Sequence, residues 1–184
     1  MDNFERQKLI EIVLYILNKT KGVTTYHLNK ILYFAEMKHL ANWGVPLVAD
    51  SFQAYKNGPV PRYLYKAIKH LDLPEKPFTI ELSHNIEFAG DDARYTLIAK
   101  RATDMEYLSV SAVSALEESI NENANLSFDE LKEKSHDSAW QEARRKGDAE
   151  EISRLSMARV MTDDEAMLEY IQHSLEIDAL FRNA

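Results

Sequence analysis

Leu9, Val13, Ile16 and Leu17 stand at i, i+4, i+7 and i+8, one apolar stripe with polar residues between. That spacing predicts an amphipathic helix over the first twenty residues. The stretch "KTKGVTT" ends it, with Gly22 as the stop and Thr24 or Thr25 as the next N-cap. A second helix is predicted in "YHLNKILYFAEMKHLANW". Its Leu28, Ile31, Leu32 and Ala35 share one face, and Tyr33 and Phe34 widen the apolar arc. A helix this apolar belongs at the centre of a core, and Gly44 closes it. After a bend at Asn57-Gly58-Pro59-Val60-Pro61, a third helix begins at Pro61 and carries Leu64, Ile68 and Leu71 on one side.

Between residues 77 and 99 the period changes. Phe78, Ile80 and Leu82 alternate, as do Ile86 and Phe88, then Tyr95 and Leu97, with "GDD" at 90–92 as a turn. Two or three short antiparallel strands are predicted there. The rest reads as helices opened by capping boxes, in which a Thr or Ser and a Glu three residues later satisfy free backbone donors. "TDME", "SFDE" and "TDDE" place helix starts near 104, 128 and 163, and Leu126 and Leu131 are set to staple the second of these. "RRKGDAEEIS" around Gly147 reads as an exposed connection. The expectation is an α+β, mostly α, compact domain with a small antiparallel two- or three-stranded sheet. It spans 1–184 as a single domain, with a core at 5–145 and a helical C-terminal extension at about 150–184.

With 45% hydrophobic and 28% charged residues, the composition is that of a soluble globular chain. No apolar run reaches the ~18 residues of a membrane span. The N-terminus lacks a basic lead and a small-residue cleavage site, so no signal peptide is read. There are no cysteines, which removes disulfides, thiolate nucleophiles and Cys-based zinc sites and points to the cytoplasm. The net charge of −8 is uneven. Residues 1–70 carry ten Lys and Arg against five Asp and Glu; residues 71–184 carry twelve against twenty-five. The acidic latter part would repel a phosphate backbone and suits a basic protein partner.

Candidate chemistry is sparse. The six histidines form no HExxH pair and no recognisable metal spacing with carboxylates. His136-Asp137 is an acid/base pair on paper, but adjacent helical residues point in different directions, which favours a structural role. Asp163-Asp164-Glu165 is explained by the cap without a cation. The single Gly58 beside two prolines makes a poor phosphate cradle, because proline has no N–H to donate. No catalytic residue, cofactor or metal is assigned. Aromatic residues crowd between 26 and 65; most would pack in the core, and a few would remain exposed as partner anchors.

The stretch "LNKILYFAEMKHLANWGVPLVADSFQAYKNGPVPRYLY" resembles the Panacea domain, the SocA-type antitoxin domain of bacterial toxin–antitoxin systems. The matching elements are Lys30, Leu32-Tyr33-Phe34-Ala35, Gly44-Val45-Pro46-Leu47, Phe52-Gln53-Ala54-Tyr55 and Gly58-Pro59-Val60, with Tyr65 in the helix that follows. Tyr55 stands where the family often has Trp. "HDSAW", with His136 and Trp140, is similar to the family's later His-to-Trp element. The resemblance implies an antitoxin that neutralises a cognate toxin, encoded by the adjacent gene, by direct protein–protein binding and without catalysis. A homodimer, or a hetero-oligomer with the toxin, is the expected assembly.

The motif residues are expected to act mainly in the fold, with Tyr33, Phe34, Phe52 and Tyr55 beneath the Gly58 turn. Partner contacts are expected on the exposed side of the third helix (Arg62, Tyr63, Lys66, Lys69) and on the acidic C-terminal helices. Three alternatives stand beside this reading. They are a proteolytic adaptor delivering the toxin to an ATP-dependent protease, a winged-helix-like DNA-binding regulator, and an enzyme using His136. Nucleic acid and membrane are not expected as partners.

Overall fold

The computed structural model describes residues 1–89 and 96–182. Helix α1 (Asn3–Thr20) opens on a reciprocal cap, in which Glu5 N–H donates to Asp2 Oδ1 and Asp2 N–H to Glu5 Oε2, each at 2.8 Å. It ends as Lys21 and Gly22 enter positive φ, and strand β1 (Val23–Thr24) leads directly into α2 (Thr25–Trp43). Thr24 caps α2 by accepting from His27 N–H, and Gly44, at φ 70°, closes it. Every residue from 28 to 40 is buried, polar ones included. Helix α2 is therefore the axis of the core. Around it pack α1, α5 (Val110–Asn123), α6 (Phe128–Ser135) and α8 (Arg154–Met161).

The bend after α2 is more ordered than its sequence suggests. Residues 52–61 form a hairpin, β2 (Phe52–Tyr55) against β3 (Gly58–Pro61), with Phe52 opposite Pro61 and Tyr55 opposite Gly58. A two-strand sheet thus stands where only a turn is predicted, because two prolines and a glycine mask the strand signal. Helix α3 (Arg62–Lys69) follows, with Leu64, Ala67 and Ile68 turned inward. Pro61 is its N-cap residue and offers no side-chain acceptor. Asp50 substitutes, its buried carboxylate accepting from Tyr63 N–H and Leu64 N–H at 2.9 Å.

The alternation at Phe78, Ile80 and Leu82 does not make a strand. Residues 77–83 are helix α4 (Pro77–Ser83), with Pro77 in its first turn, Thr79 and Leu82 buried and Ile80 exposed. Three alternating positions fit one helical turn as well as a strand, and the N-terminal proline decides for the helix. Strands β4 (Ile86–Phe88) and β5 (Thr96–Ala99) are antiparallel, and β1 completes a three-stranded sheet in the order β1-β5-β4. The expected turn at 90–92 and Tyr95 lie outside the described residues.

Two of the three helix starts shift. Asp104, not Thr103, caps a short 3-10 turn (Met105–Tyr107), and α5 starts at Val110 under Ser109, which accepts from Ala112 N–H. Thr162 terminates α8, and Asp164 caps α9 (Glu165–Arg182) through Ala166 N–H and Met167 N–H. In both places a nearer acceptor captured the free donors. At α6 the Ser127–Glu130 box forms as predicted, with Leu131 buried and Leu126 packed on the core. Helix α7 (Ser138–Lys146) carries Asp137 as its cap. The exposed connection expected near Gly147 is in part a strap: Ile152 is buried, its N–H donates to Phe52 O, and Ala54 N–H donates to Glu150 O, each at 2.8 Å. The architecture is α+β and mostly helical, with two small antiparallel sheets.

Candidate functional site

Most motif residues converge on one region, where the N-terminal half of α2 meets the β2–β3 hairpin; Gly44 and Pro46 lie at the other end of α2. Lys56 and Asn57 keep negative φ in the two-residue turn, so the chain turns back through Gly58 at φ 98°. Gly58 lies close to Lys30 and Ser135. Lys30 is fully buried; its Nζ donates to Pro59 O at 2.8 Å and lies 4.8 Å from the centroid of the Tyr26 ring. The Tyr26 hydroxyl donates to Asn57 O at 3.2 Å, so α2 holds both ends of the turn.

The aromatic residues divide by role. Tyr33 contacts Phe34 and Phe52 ring to ring, at 5.6 and 5.4 Å, and its hydroxyl donates to Asp137 at 2.9 Å. Tyr55 packs on Tyr65 instead, at 5.7 Å, and this contact links the hairpin to α3. Trp140 Nε1–H donates to Tyr55 O at 3.0 Å. Phe52, Ala54 and Val60 are buried in the hairpin, and Pro46 is half-buried in the turn beyond Gly44. A Cβ on Gly44 would meet the Tyr170 ring at 2.6 Å.

His136 closes α6 and stacks on Trp140, with centroids 3.7 Å apart and planes within 5°. Burial, and then the positive charge of Lys30, hold its imidazole below the usual range. Its neighbour Asp137 is engaged elsewhere, accepting from the Tyr33 hydroxyl and from Trp140 N–H. The sequence-adjacent pair is not a dyad. Among the described residues no group of three or more His, Asp and Glu side chains could hold a metal ion, and no helix is long and apolar enough to cross a membrane.

Burial lowers Lys30 to about 7, against an ordinary 10.5. Below pH 7 both folded and unfolded chains hold the proton, and desolvation weighs fully on the folded state. Between 7 and 10.5 the unfolded chain keeps a proton that the folded chain has released, so stability rises with pH. A neutral amine still donates to Pro59 O. We therefore expect the wild type to gain about 3 kcal/mol between pH 6 and 9 relative to Lys30→Met. Urea unfolding across that range checks it; a difference flat in pH contradicts it.

Two further anchors are not evident in the sequence. Glu36 is fully buried on α2 and accepts from Leu47 N–H, Val48 N–H and Arg154 Nε at 2.8, 3.1 and 3.2 Å. Arg154 also donates to Val48 O and Asp50 O. Burial raises both Glu36 and Asp50 above the usual carboxylate range; the Arg154 charge opposes it at both, with the Leu47 and Val48 N–H groups at Glu36 and the Leu64, Tyr63 and Ser51 N–H groups at Asp50. The only available signal is a charged residue inside an apolar stretch, as at Lys30 and Glu36; it names no partner.

Above this framework lies a cleft of about 1040 Å³, walled by α2, the hairpin tip and α3. Tyr26, Asn29, Lys56, Tyr65 and Lys69 face it. On the outer side of α3, Arg62, Tyr63 and Lys66 are exposed, Tyr63 to 51%.

No curated protein and no solved structure matches the chain significantly. The sequence profile of the SocA-like antitoxin family, the Panacea domain, matches residues 28–141, which contain α2 from Leu28 onward, the hairpin, α3 and the His136–Trp140 element. The chain therefore belongs to the SocA-like antitoxin family and carries its Panacea domain.

Proposed function

We propose that the chain is a cytoplasmic antitoxin that neutralises a cognate toxin by direct protein–protein binding, without catalysis. The observation that carries this reading is the division of labour in the region above. Most motif residues are spent on the interior or on packing the hairpin against α2 and α3, whereas α3 turns Arg62, Tyr63, Lys66 and Lys69 outward around a buried Leu64, Ala67 and Ile68. A basic and aromatic helix face beside a cleft has the composition of an interface core, in which Tyr and Arg dominate. We also infer that the segment after 150 belongs to the same folding unit, because Ile152 and Arg154 are built into the hairpin and α2.

The test is co-expression with the product of the adjacent reading frame. Growth arrest by that product alone, rescue by this chain and a stable purified complex are the expected results. Arg62→Glu with Lys66→Glu should weaken the complex at least tenfold by calorimetry while leaving the melting temperature within a few degrees. Rescue that disappears in cells lacking one ATP-dependent protease, with the purified complex still toxic, would replace inhibition by delivery. A harmless neighbour that forms no complex would sink the antitoxin reading.

A further inference from the structure

We propose that the cleft seats an extended, acidic segment of the toxin, an inference that rests on the antitoxin reading. Charge is the first argument. Lys56 at the hairpin tip and Lys69 on α3, whose Nζ lies 4.7 Å from the Tyr65 ring centroid, line the cleft from different elements; both are exposed, and neither is in an ion pair among the described residues. Lys30 lies beneath them, and Asp72 is the one carboxylate facing the cleft among the described residues. Two surface cations without an ion pair, against one anion, favour a ligand bearing carboxylates.

The second argument is independent of charge. Asn29 is 2% exposed and lines the same cleft, yet its Oδ1 has no hydrogen-bond partner among the described residues. The oxygen is enclosed in the free chain and an unpaired acceptor there is costly, so a donor that meets it once the side chain turns toward the cleft is favoured. A peptide backbone supplies N–H donors beside acidic side chains, whereas a fully deprotonated anion such as a free carboxylate supplies none.

The hairpin also restricts how such a segment can bind. The outer edge of β3 carries Pro59 and Pro61, which have no N–H, and Lys30 occupies Pro59 O. The edge of β2 is covered by residues 150–152. Strand addition is closed on both sides. The segment must instead lie across the aromatic walls and be read by side chains. At about 1040 Å³ the cleft reaches the upper end of the ~300–1,000 Å³ typical of ligand sites, which suits several residues of extended chain.

The experiment uses the full chain and the adjacent gene's product. A photoreactive benzoylphenylalanine at Lys56, with a control at Val110 (88% exposed, on α5), is cross-linked in the complex and the adduct sequenced. An adduct at Lys56 to a net-negative toxin segment is expected. Lys56→Glu should weaken binding at least tenfold. Asn29→Leu should weaken it while leaving the melting temperature unchanged or higher, since it removes an unsatisfied acceptor; a purely structural Asn29 would move stability and not affinity. A complex that forms with no adduct at Lys56 and wild-type affinity in both variants overturns the cleft proposal and leaves the antitoxin reading standing. Protection of the cleft by inorganic pyrophosphate, with toxin affinity untouched by Lys56→Glu, overturns it in favour of a small anion. No complex with the wild-type chain overturns both.

Discussion

Gly58→Val is expected to leave the chain unfolded, and Gly58→Ala to be folded but severely destabilised. A Cβ at this position would stand 2.6 Å from Ser135 Oγ and 2.7 Å from Lys30 Nζ, closer than side-chain packing allows. Neither neighbour yields readily. Ser135 is fully buried at the end of α6, and Lys30 is held by its bond to Pro59 O. The backbone adds a second penalty, because φ is 98° and an L-residue is strained there by roughly 1–3 kcal/mol. Overpacking contributes a further ~1–3 kcal/mol, so Gly58→Ala should lose about 3–4 kcal/mol. The branched side chain of Val exceeds that, against a total stability of roughly 5–15 kcal/mol for a domain. Circular dichroism and urea titration measure it, and Ser135→Gly should recover the Ser135 share of the steric loss in Gly58→Ala, but neither the Lys30 share nor the backbone part. A Gly58→Val chain with the wild-type unfolding midpoint, impaired only in toxin binding, would mean that the turn serves the interface and not the fold.

Arg154→Ala is expected to cost about 3–5 kcal/mol, the range for removing one partner of a buried ion pair. Glu36 is completely enclosed, and Arg154 is the guanidinium that balances it across 118 positions of sequence. Two carbonyl acceptors, Val48 O and Asp50 O, would be left without this donor as well. The pH dependence distinguishes lost charge balance from lost packing. Burial already raises the Glu36 carboxyl above its ordinary value, and without Arg154 it rises further. A carboxyl raised in the folded state loses stability as pH climbs from its unfolded value through the folded one. The deficit of Arg154→Ala should therefore be smaller at pH 5 than at pH 8. Glu36→Gln in the same background should reduce the deficit at pH 8, because it removes the uncompensated charge. Urea midpoints at the two pH values check both statements; a deficit independent of pH would assign the loss to packing alone.

The features legible beforehand share one property: each is decided within a few residues. The Ser127–Glu130 box, the Gly22 and Gly44 stops and the apolar arc of α2 depend on local donors, backbone freedom and helical period, and all stand in the structure. Where local rules competed, the reading slipped. Phe78, Ile80 and Leu82 satisfy either period over so short a run, and Asp104, Ser109 and Asp164 outcompeted the threonines nearby for the same free donors. The hairpin was hidden because its strand residues, Gly58-Pro59-Val60-Pro61, carry turn chemistry.

Local pattern and motif were enough to identify the family, the helical core and the turn at Gly58. They could not determine which charges meet. Lys30 on Pro59 O, Glu36 on Arg154, Asp50 on the start of α3 and Tyr33 on Asp137 are pairings that exist only once distant segments are packed together. Their energies come from enclosure, which strips water from each group and leaves one partner within reach. The cleft has the same origin. Tyr26, Lys56 and Lys69 come from three elements, and only the packing of hairpin and α3 against α2 sets them around one volume.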